Sequence, residues 1–131
     1  MIYLDTSFVI AAVEDSGPAG TKALRALAEN PDEKFAISAL VLMECLVLPL
    51  RTDNYRVRLK YERFFETLEI LELDEPALTR AAELRAKHTI STTDAMHLAC
   101  ADYNLCTGFW TNDKRLNKIA SGLAVKVFPE I

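Results

Sequence analysis

Four acidic residues stand where they could do chemistry: Asp5, Glu44, Asp94 and Asp113. Asp5 follows the apolar run Ile2-Tyr3-Leu4, Asp113 follows Phe109-Trp110-Thr111-Asn112, and Asp94 opens an Ala-rich stretch. Each of these three has an ordinary alternative, because a short carboxylate at a helix start accepts backbone N–H bonds as an N-cap. Glu44 does not. It is the only charge between Ala39 and Leu50, with Leu40, Val41, Val47 and Leu48 one turn away on either side, so the helix face that carries it is apolar. An ionised carboxylate buried without a partner costs several kcal/mol, so Glu44 must be protonated, meet a base such as an Arg, or bind a metal. The stronger reading sets Glu44 at the wall of a cleft, facing Asp5 across the edge of a sheet.

Convergence of the four acids would need a counter-charge, since two unit charges 4 Å apart repel by about 4 kcal/mol at an effective dielectric near 20. A hard divalent cation supplies it. Carboxylates and water suit Mg2+ or Mn2+, and the absence of His and Cys from the four-acid set argues against zinc or copper. Mg2+ typically uses few protein carboxylates together with phosphate oxygens, which points to a phosphate ester substrate attacked in line by a cation-activated water.

The elements that must position these acids follow from periodicity. Strands are expected at Ile2–Leu4, Phe35–Ser38, Ile70–Leu73, Phe109–Thr111 and Val125–Phe128. Between them, helices are expected over Thr6–Val13, Ala19–Asn30, Ala39 to about Leu48, Asn54 to about Leu68, Glu75 to about Lys87, Asp94 to about Tyr103, and Asp113–Ile119. Val57, Tyr61, Phe64 and Leu68 share one face of the fourth helix, and Thr92 and Thr93 are candidate caps for the sixth. Strands alternating with helices imply one α/β domain over residues 1–131, a mostly parallel sheet of about five strands flanked by helices. Such sheets bind ligands beyond the carboxyl ends of their strands.

The residues around the four acids resemble a known family. Asp5-Thr6-Ser7 after an apolar strand, Ser38-Ala39-Leu40-Val41-Leu42-Met43-Glu44, Thr92-Thr93-Asp94-Ala95-Met96-His97-Leu98-Ala99 and Thr111-Asn112-Asp113 are similar to the four acidic motifs of the PIN domain, in the same order along essentially the whole chain. Within that family the chain looks most like the VapC-type toxins of type II toxin-antitoxin pairs. The resemblance implies a Mg2+- or Mn2+-dependent endoribonuclease whose metal-holding pocket is Asp5, Glu44, Asp94 and Asp113. Asp5 and Asp94 would be direct ligands, Glu44 next, and Asp113 is left open between direct and water-mediated contact. Thr6, Thr111 and Asn112 lie beside these acids as hydrogen-bond partners, or as ordinary caps. His97, one turn beyond Asp94, is read as a structural residue of an apolar helix rather than a catalytic base. A homodimer and a small antitoxin that blocks the acidic pocket are also implied by the resemblance.

Composition bounds the rest. The chain has 131 residues, half of them hydrophobic and 26% charged, and no repeat, low-complexity tract or linker divides it. Its longest run without Asp, Glu, Lys or Arg is ten residues, Tyr103–Asn112, half of what a membrane span needs, and no signal peptide is visible, so a cytoplasmic protein is expected. Cys45, Cys100 and Cys106 each lie in apolar surroundings and are expected as reduced core thiols, in preference to a zinc site of His97, Cys100 and Cys106.

A net charge of −4 and a pI of about 5.2 argue against a nucleic-acid partner when averaged over the chain. Resolved by region, residues 51–63 carry +3, residues 114–126 carry +4 and the remainder −11. Arg56, Lys60 and Arg63 share one helical face with Tyr55 nearby, and Lys114 and Arg115 follow Asp113; all five basic residues are candidates for RNA binding, or for an ordinary solvated surface. Rival classes fit less well. A phosphoacceptor domain using Asp74 would want a pair of acids after the first strand and a Lys beyond a late one, but Asp5 stands alone and Lys126 lies inside its strand. A dehalogenase-type phosphatase would want Asp where Ser7 stands, and a non-catalytic PIN-fold binding module would not need all four acids.

Overall fold

The strand β1 (Ile2–Leu4) lies at the centre of a five-stranded sheet, and every strand pairing in that sheet is parallel. Its three side chains are all buried, which is why it reads as an unbroken apolar run: a central parallel strand is covered on both faces. On one side it pairs with β2 (Phe35–Ser38), and β2 with the edge strand β3 (Glu69–Leu71). On the other it pairs with β4 (Gly108–Trp110), and β4 with β5 (Lys126–Val127), giving the order β3-β2-β1-β4-β5. This computed structural model describes residues 1–123 and 126–127; Val125 and Phe128 of the expected last strand lie outside the described residues.

The helices fall between the strands as the periodicity requires. They are α1 (Thr6–Glu14), α2 (Pro18–Ala28), α3 (Ala39–Arg51), α4 (Tyr55–Phe65), α5 (Glu75–Lys87), α6 (Thr92–Tyr103) and α7 (Lys114–Ser121). The chain builds outward from β1 to β3 and then returns to add β4 on the opposite side of β1. The reversal places a switch point between β1 and β4, whose carboxyl ends carry Asp5 and Thr111-Asn112-Asp113.

Several boundaries differ from expectation for identifiable reasons. Helix α3 does not stop at Leu48 but runs through the buried Pro49 to Arg51; the chain is then turned by Thr52 N donating to Leu48 O at 3.0 Å and Asn54 N to Pro49 O at 2.8 Å. Proline forfeits one intrahelical bond without forbidding the next turn when packing holds it. Helix α4 ends three residues earlier than expected and buries Tyr61 and Phe65, with Val57, Phe64 and Leu68 only partly covered. The cap of α6 is Ser91, whose Oγ accepts the Asp94 amide at 3.1 Å, rather than Thr92 or Thr93.

Packing on β1 and β4 fixes the floor of the sheet. Tyr3 stacks on Phe109 with ring centroids 5.6 Å apart, while Trp110 meets Phe8 of α1 and Phe35 of β2. All three cysteines are free and buried, and burial pushes the thiols of Cys45 and Cys100 up to about 12. These are inert core groups. Among the described residues no helix is long and apolar enough to cross a membrane.

Candidate active site

Asp5 takes the first position after β1 and caps α1. Its Oδ1 accepts the Phe8 amide at 3.0 Å and the Ser7 hydroxyl at 2.8 Å, and its own amide continues the β1–β4 ladder to Trp110 O at 3.1 Å. The capping alternative is therefore real, yet the residue is only 3% exposed, far more enclosed than a surface cap needs to be. Burial raises the Asp5 carboxyl above its ordinary range, against hydrogen bonds from Thr111, the Phe8 amide and Ser7, and against the nearby His97 imidazole. A carboxylate held in that way gains from a cation beside it.

Ser7, the third residue of the first motif and one to which the sequence assigns no role, closes this corner. Its hydroxyl donates to Asp5, lies 3.1 Å from the Thr111 hydroxyl, and accepts the Asn112 amide at 3.0 Å. Thr111 Oγ1 in turn accepts the Asp113 amide at 3.0 Å. Thr111 and Asn112 thus act as the bridge between Asp5 and the start of α7, one through its side chain and the other through its backbone.

Glu44 finds a partner that residue order does not reveal. Its Oε1 accepts the Thr6 hydroxyl at 2.6 Å and His97 Nε2 at 2.7 Å. The hydrogen bond from His97 holds the Glu44 carboxyl below the usual glutamate range despite the cost of burial, with Thr6 adding to it. The helix that carries it is apolar as expected, but Leu40 and Val41 are buried while Met43, Val47 and Leu48 are exposed, so Glu44 sits at a margin and its side chain keeps 27% exposure. His97 is buried, and its Nδ1 lies 2.7 Å from the Tyr3 hydroxyl, which is 2.8 Å from Ser38 Oγ. His97 is thus neither a plain core residue nor a zinc ligand beside Cys100 and Cys106.

Asp94 and Asp113 face the same space. With Ile90, Ser91, Arg115 and Leu116 they line a cavity of about 140 Å3 between the start of α6 and the start of α7. Asp94 lies in the first turn of α6 and is not its cap, a role filled by Ser91, so the bland reading of Asp94 is removed. Asp113 does cap α7, through Oδ1 accepting the Arg115 and Leu116 amides at 2.9 and 3.1 Å. The Arg115 guanidinium reaches across to the Thr89 carbonyl and so bounds the cavity with positive charge.

Hydrogen bonds and one shared cavity link the surroundings of the four acids without gathering all four together. Asp94 and Asp113 share a cavity, Asp5 connects to Asp113 through Thr111, and Glu44 connects to the Asp94 helix through His97 and to the residue after Asp5 through Thr6. Among the described residues no three His, Cys, Asp or Glu side chains are gathered closely enough to hold a metal ion as they stand. Of the basic candidates, Arg56, Lys60, Arg63 and Lys114 are exposed, and on the same helix Arg58 is engaged by Glu62 at 2.7 Å.

Comparison with known proteins agrees with this architecture. The PIN domain family matches residues 2–122. The fold is similar to VapBC2 of Rickettsia felis bound to a fragment of its promoter DNA, with TM-score 0.80, 20% identity and 98% of each chain covered. It is similar to Mycobacterium tuberculosis VapC20, described as a sarcin-ricin loop cleaving toxin, with TM-score 0.77, 21% identity and coverage of 98% of this chain and 100% of that one. A toxin-antitoxin complex from Klebsiella pneumoniae gives TM-score 0.70 at 23% identity over 88% of each chain. No match is found among curated proteins. With a parallel β3-β2-β1-β4-β5 sheet and a family match over nearly its whole length, the chain belongs to the PIN domain family.

Proposed function

We propose that this PIN domain is a Mg2+- or Mn2+-dependent endoribonuclease, the toxin of a toxin-antitoxin pair, acting in the cytoplasm as a homodimer and silenced by a small antitoxin that covers the acidic pocket. The observation that carries the reading is the cavity shared by Asp94 and Asp113, with the buried Asp5 at the β1–β4 switch point linked to Asp113 through Thr111. Similar structures that are themselves toxin-antitoxin complexes support the antitoxin partner.

The donor set fits a hard cation. It is all oxygen, it includes a carboxylate whose burial a positive charge would relieve, and it offers one pair of acids on a shared cavity rather than a closed cage. Mg2+ is commonly held by one or two carboxylates, with water and substrate phosphate completing its shell, so a pocket without three gathered ligands suits it better than it would suit zinc. Asp5, Asp94, Asp113 and Glu44 would hold it. When bound, such an ion supplies charge neutralisation at the phosphodiester and an acidified water as nucleophile. The chain's own contribution is placement: Thr111 and Ser7 fix the Asp5 carboxylate, Ser91 frees Asp94 from capping duty, and Arg115 lies where a phosphate oxygen would meet a fixed guanidinium. Arg56, Lys60, Arg63 and Lys114 extend positive charge along the surface for the RNA backbone.

The deciding experiment is a Mg2+ and Mn2+ titration of purified protein with single-stranded and structured RNA, alongside Asp94→Asn. Cation-dependent cleavage that the variant lacks is expected. No cleavage with either ion would favour a non-catalytic binding module.

A further inference from the structure

Glu44 Oε1 receives two hydrogen bonds, from Thr6 and from His97, while Oε2 has no hydrogen-bond partner among the described residues. A carboxylate oxygen only accepts, so at the 2.7 Å contact His97 Nε2 carries the proton. The opposite ring nitrogen is also engaged, by the buried Tyr3 hydroxyl at 2.7 Å, and Ser38 lies behind Tyr3 at 2.8 Å. Tyr3 itself is fully buried in β1 and stacked on Phe109. The imidazole is thereby gripped at both ends, with one end anchored in the centre of the sheet and the other on a carboxylate at its margin.

That arrangement is more than a core residue needs. Burying a polar ring in an apolar helix is costly unless every donor and acceptor is satisfied. The same helix position filled by Leu would avoid the cost altogether. What His97 adds is direction: it draws Oε1 toward the sheet and leaves Oε2 as the one unoccupied acceptor of a side chain that is 27% exposed. Ligating carboxylates are commonly oriented by such outer hydrogen bonds.

We propose that His97 is a positioning residue, held by Tyr3 and Ser38, that fixes the Glu44 carboxylate so that its free oxygen is presented to a divalent cation in the pocket. The inference rests on reading the acidic pocket as a cation site. It gives His97 no proton to transfer and no contact with substrate.

Mn2+ affinity, measured by calorimetry or by the Mn2+ magnetic resonance signal, tests this without relying on cleavage. His97→Leu is expected to weaken Mn2+ binding roughly 10- to 100-fold. His97→Gln places an amide N–H near the position of Nε2 and is expected to restore affinity to within about threefold of the original protein. On a Glu44→Gln background, His97→Leu is expected to add nothing, since the group it positions is already gone. Thermal melts of each variant separate placement from folding, and Tyr3→Phe, which removes only the hydroxyl behind the ring, should weaken Mn2+ several-fold if His97→Leu does not fold. Unchanged Mn2+ affinity in folded His97→Leu, or His97→Gln as impaired as His97→Leu at equal melting temperature, would overturn the proposal. Mn2+ binding without RNA cleavage would sink the nuclease reading while leaving the His97 comparison decisive; no Mn2+ binding by the original protein would overturn both.

Discussion

The hydroxyl of Ser7 lies 3.1 Å from the hydroxyl of Thr111, an approach between residues 104 apart in sequence that ties the first turn of α1 to the connection after β4. Ser7 also donates to Asp5 and receives the Asn112 amide. One small side chain thus holds both halves of the acidic corner. Ser7→Ala is expected to cost about 1 kcal/mol in urea unfolding, the net value of a typical hydrogen bond. It should also lower cation-dependent cleavage roughly tenfold by freeing the Asp5 carboxylate. Cleavage at the original rate would show that Asp5 needs no help from Ser7.

Asp5 should carry a stability penalty that depends on pH. Burial raises its carboxyl in the folded state, so the unfolded chain ionises first as pH increases. Stability attributable to Asp5 is therefore unaffected below the ordinary carboxylate range near pH 4 and declines as pH rises through and above it. Asp5→Asn keeps an oxygen for the Phe8 amide and abolishes the charge. Its melting temperature should match that of the original protein at acid pH and exceed it at neutral pH without divalent ions. Mg2+ should then stabilise the original protein and not the variant. A variant less stable at neutral pH than at acid pH, relative to the original protein, would contradict this account.

Much of this can be read from residue order. The central strands are legible because parallel strands covered on both faces are apolar throughout, as Ile2-Tyr3-Leu4 and Phe109-Trp110 are. The edge strand β3 is exposed at Glu69 and Ile70, so its apolar signal is weak and its expected start falls one residue late. Glu44 stands out as a lone charge on an apolar helix, but its partner does not, because His97 is 53 residues away and meets it only once the folded sheet has brought α3 and α6 together. Ser91, Thr92 and Thr93 are three hydroxyls in a row, any of which can cap a helix; backbone geometry selects Ser91 and so releases Asp94. Pro49 is a local stop signal overridden by its own burial.

Gly20 is required by sterics alone. A Cβ there would stand 1.8 Å from the Asp15 carbonyl oxygen and 2.9 Å from that of Ala11, both backbone atoms that cannot rotate away. Gly20→Ala is expected to destabilise the protein by at least about 2 kcal/mol through forced separation of α1 and α2. Chemical denaturation reads this directly. Since α1 carries Asp5 at its cap, cleavage should fall with it; a variant of unchanged stability would show that the α1–α2 junction is loose.

The exposed basic face of α4 sets a measurable expectation for RNA. Arg58 is paired with Glu62, whereas Arg56 and Lys60 are exposed, so the double variant Arg56→Ser and Lys60→Ser removes two positive charges without touching the acids. For every phosphate of a single strand that is no longer neutralised, the slope of log affinity against log salt should fall by about 0.7. Cation affinity should be unaffected. An unchanged salt slope would return α4 to the status of a solvated surface.

The pairing of β1 with β4 has a consequence for the order in which the acidic corner comes into being. Asp5 is synthesised long before Thr111, Asn112 and Asp113, the groups that complete its surroundings, and these reach it only when Leu4 pairs with Trp110. A nascent chain that has emerged as far as α6 holds β1, β2 and β3 but has no cavity for Asp94 to share. On the proposed function, hydrolytic capacity is thus withheld from the ribosome-bound chain until β4 and α7 are free to fold, which keeps the enzyme inert beside the RNA-rich machine that makes it.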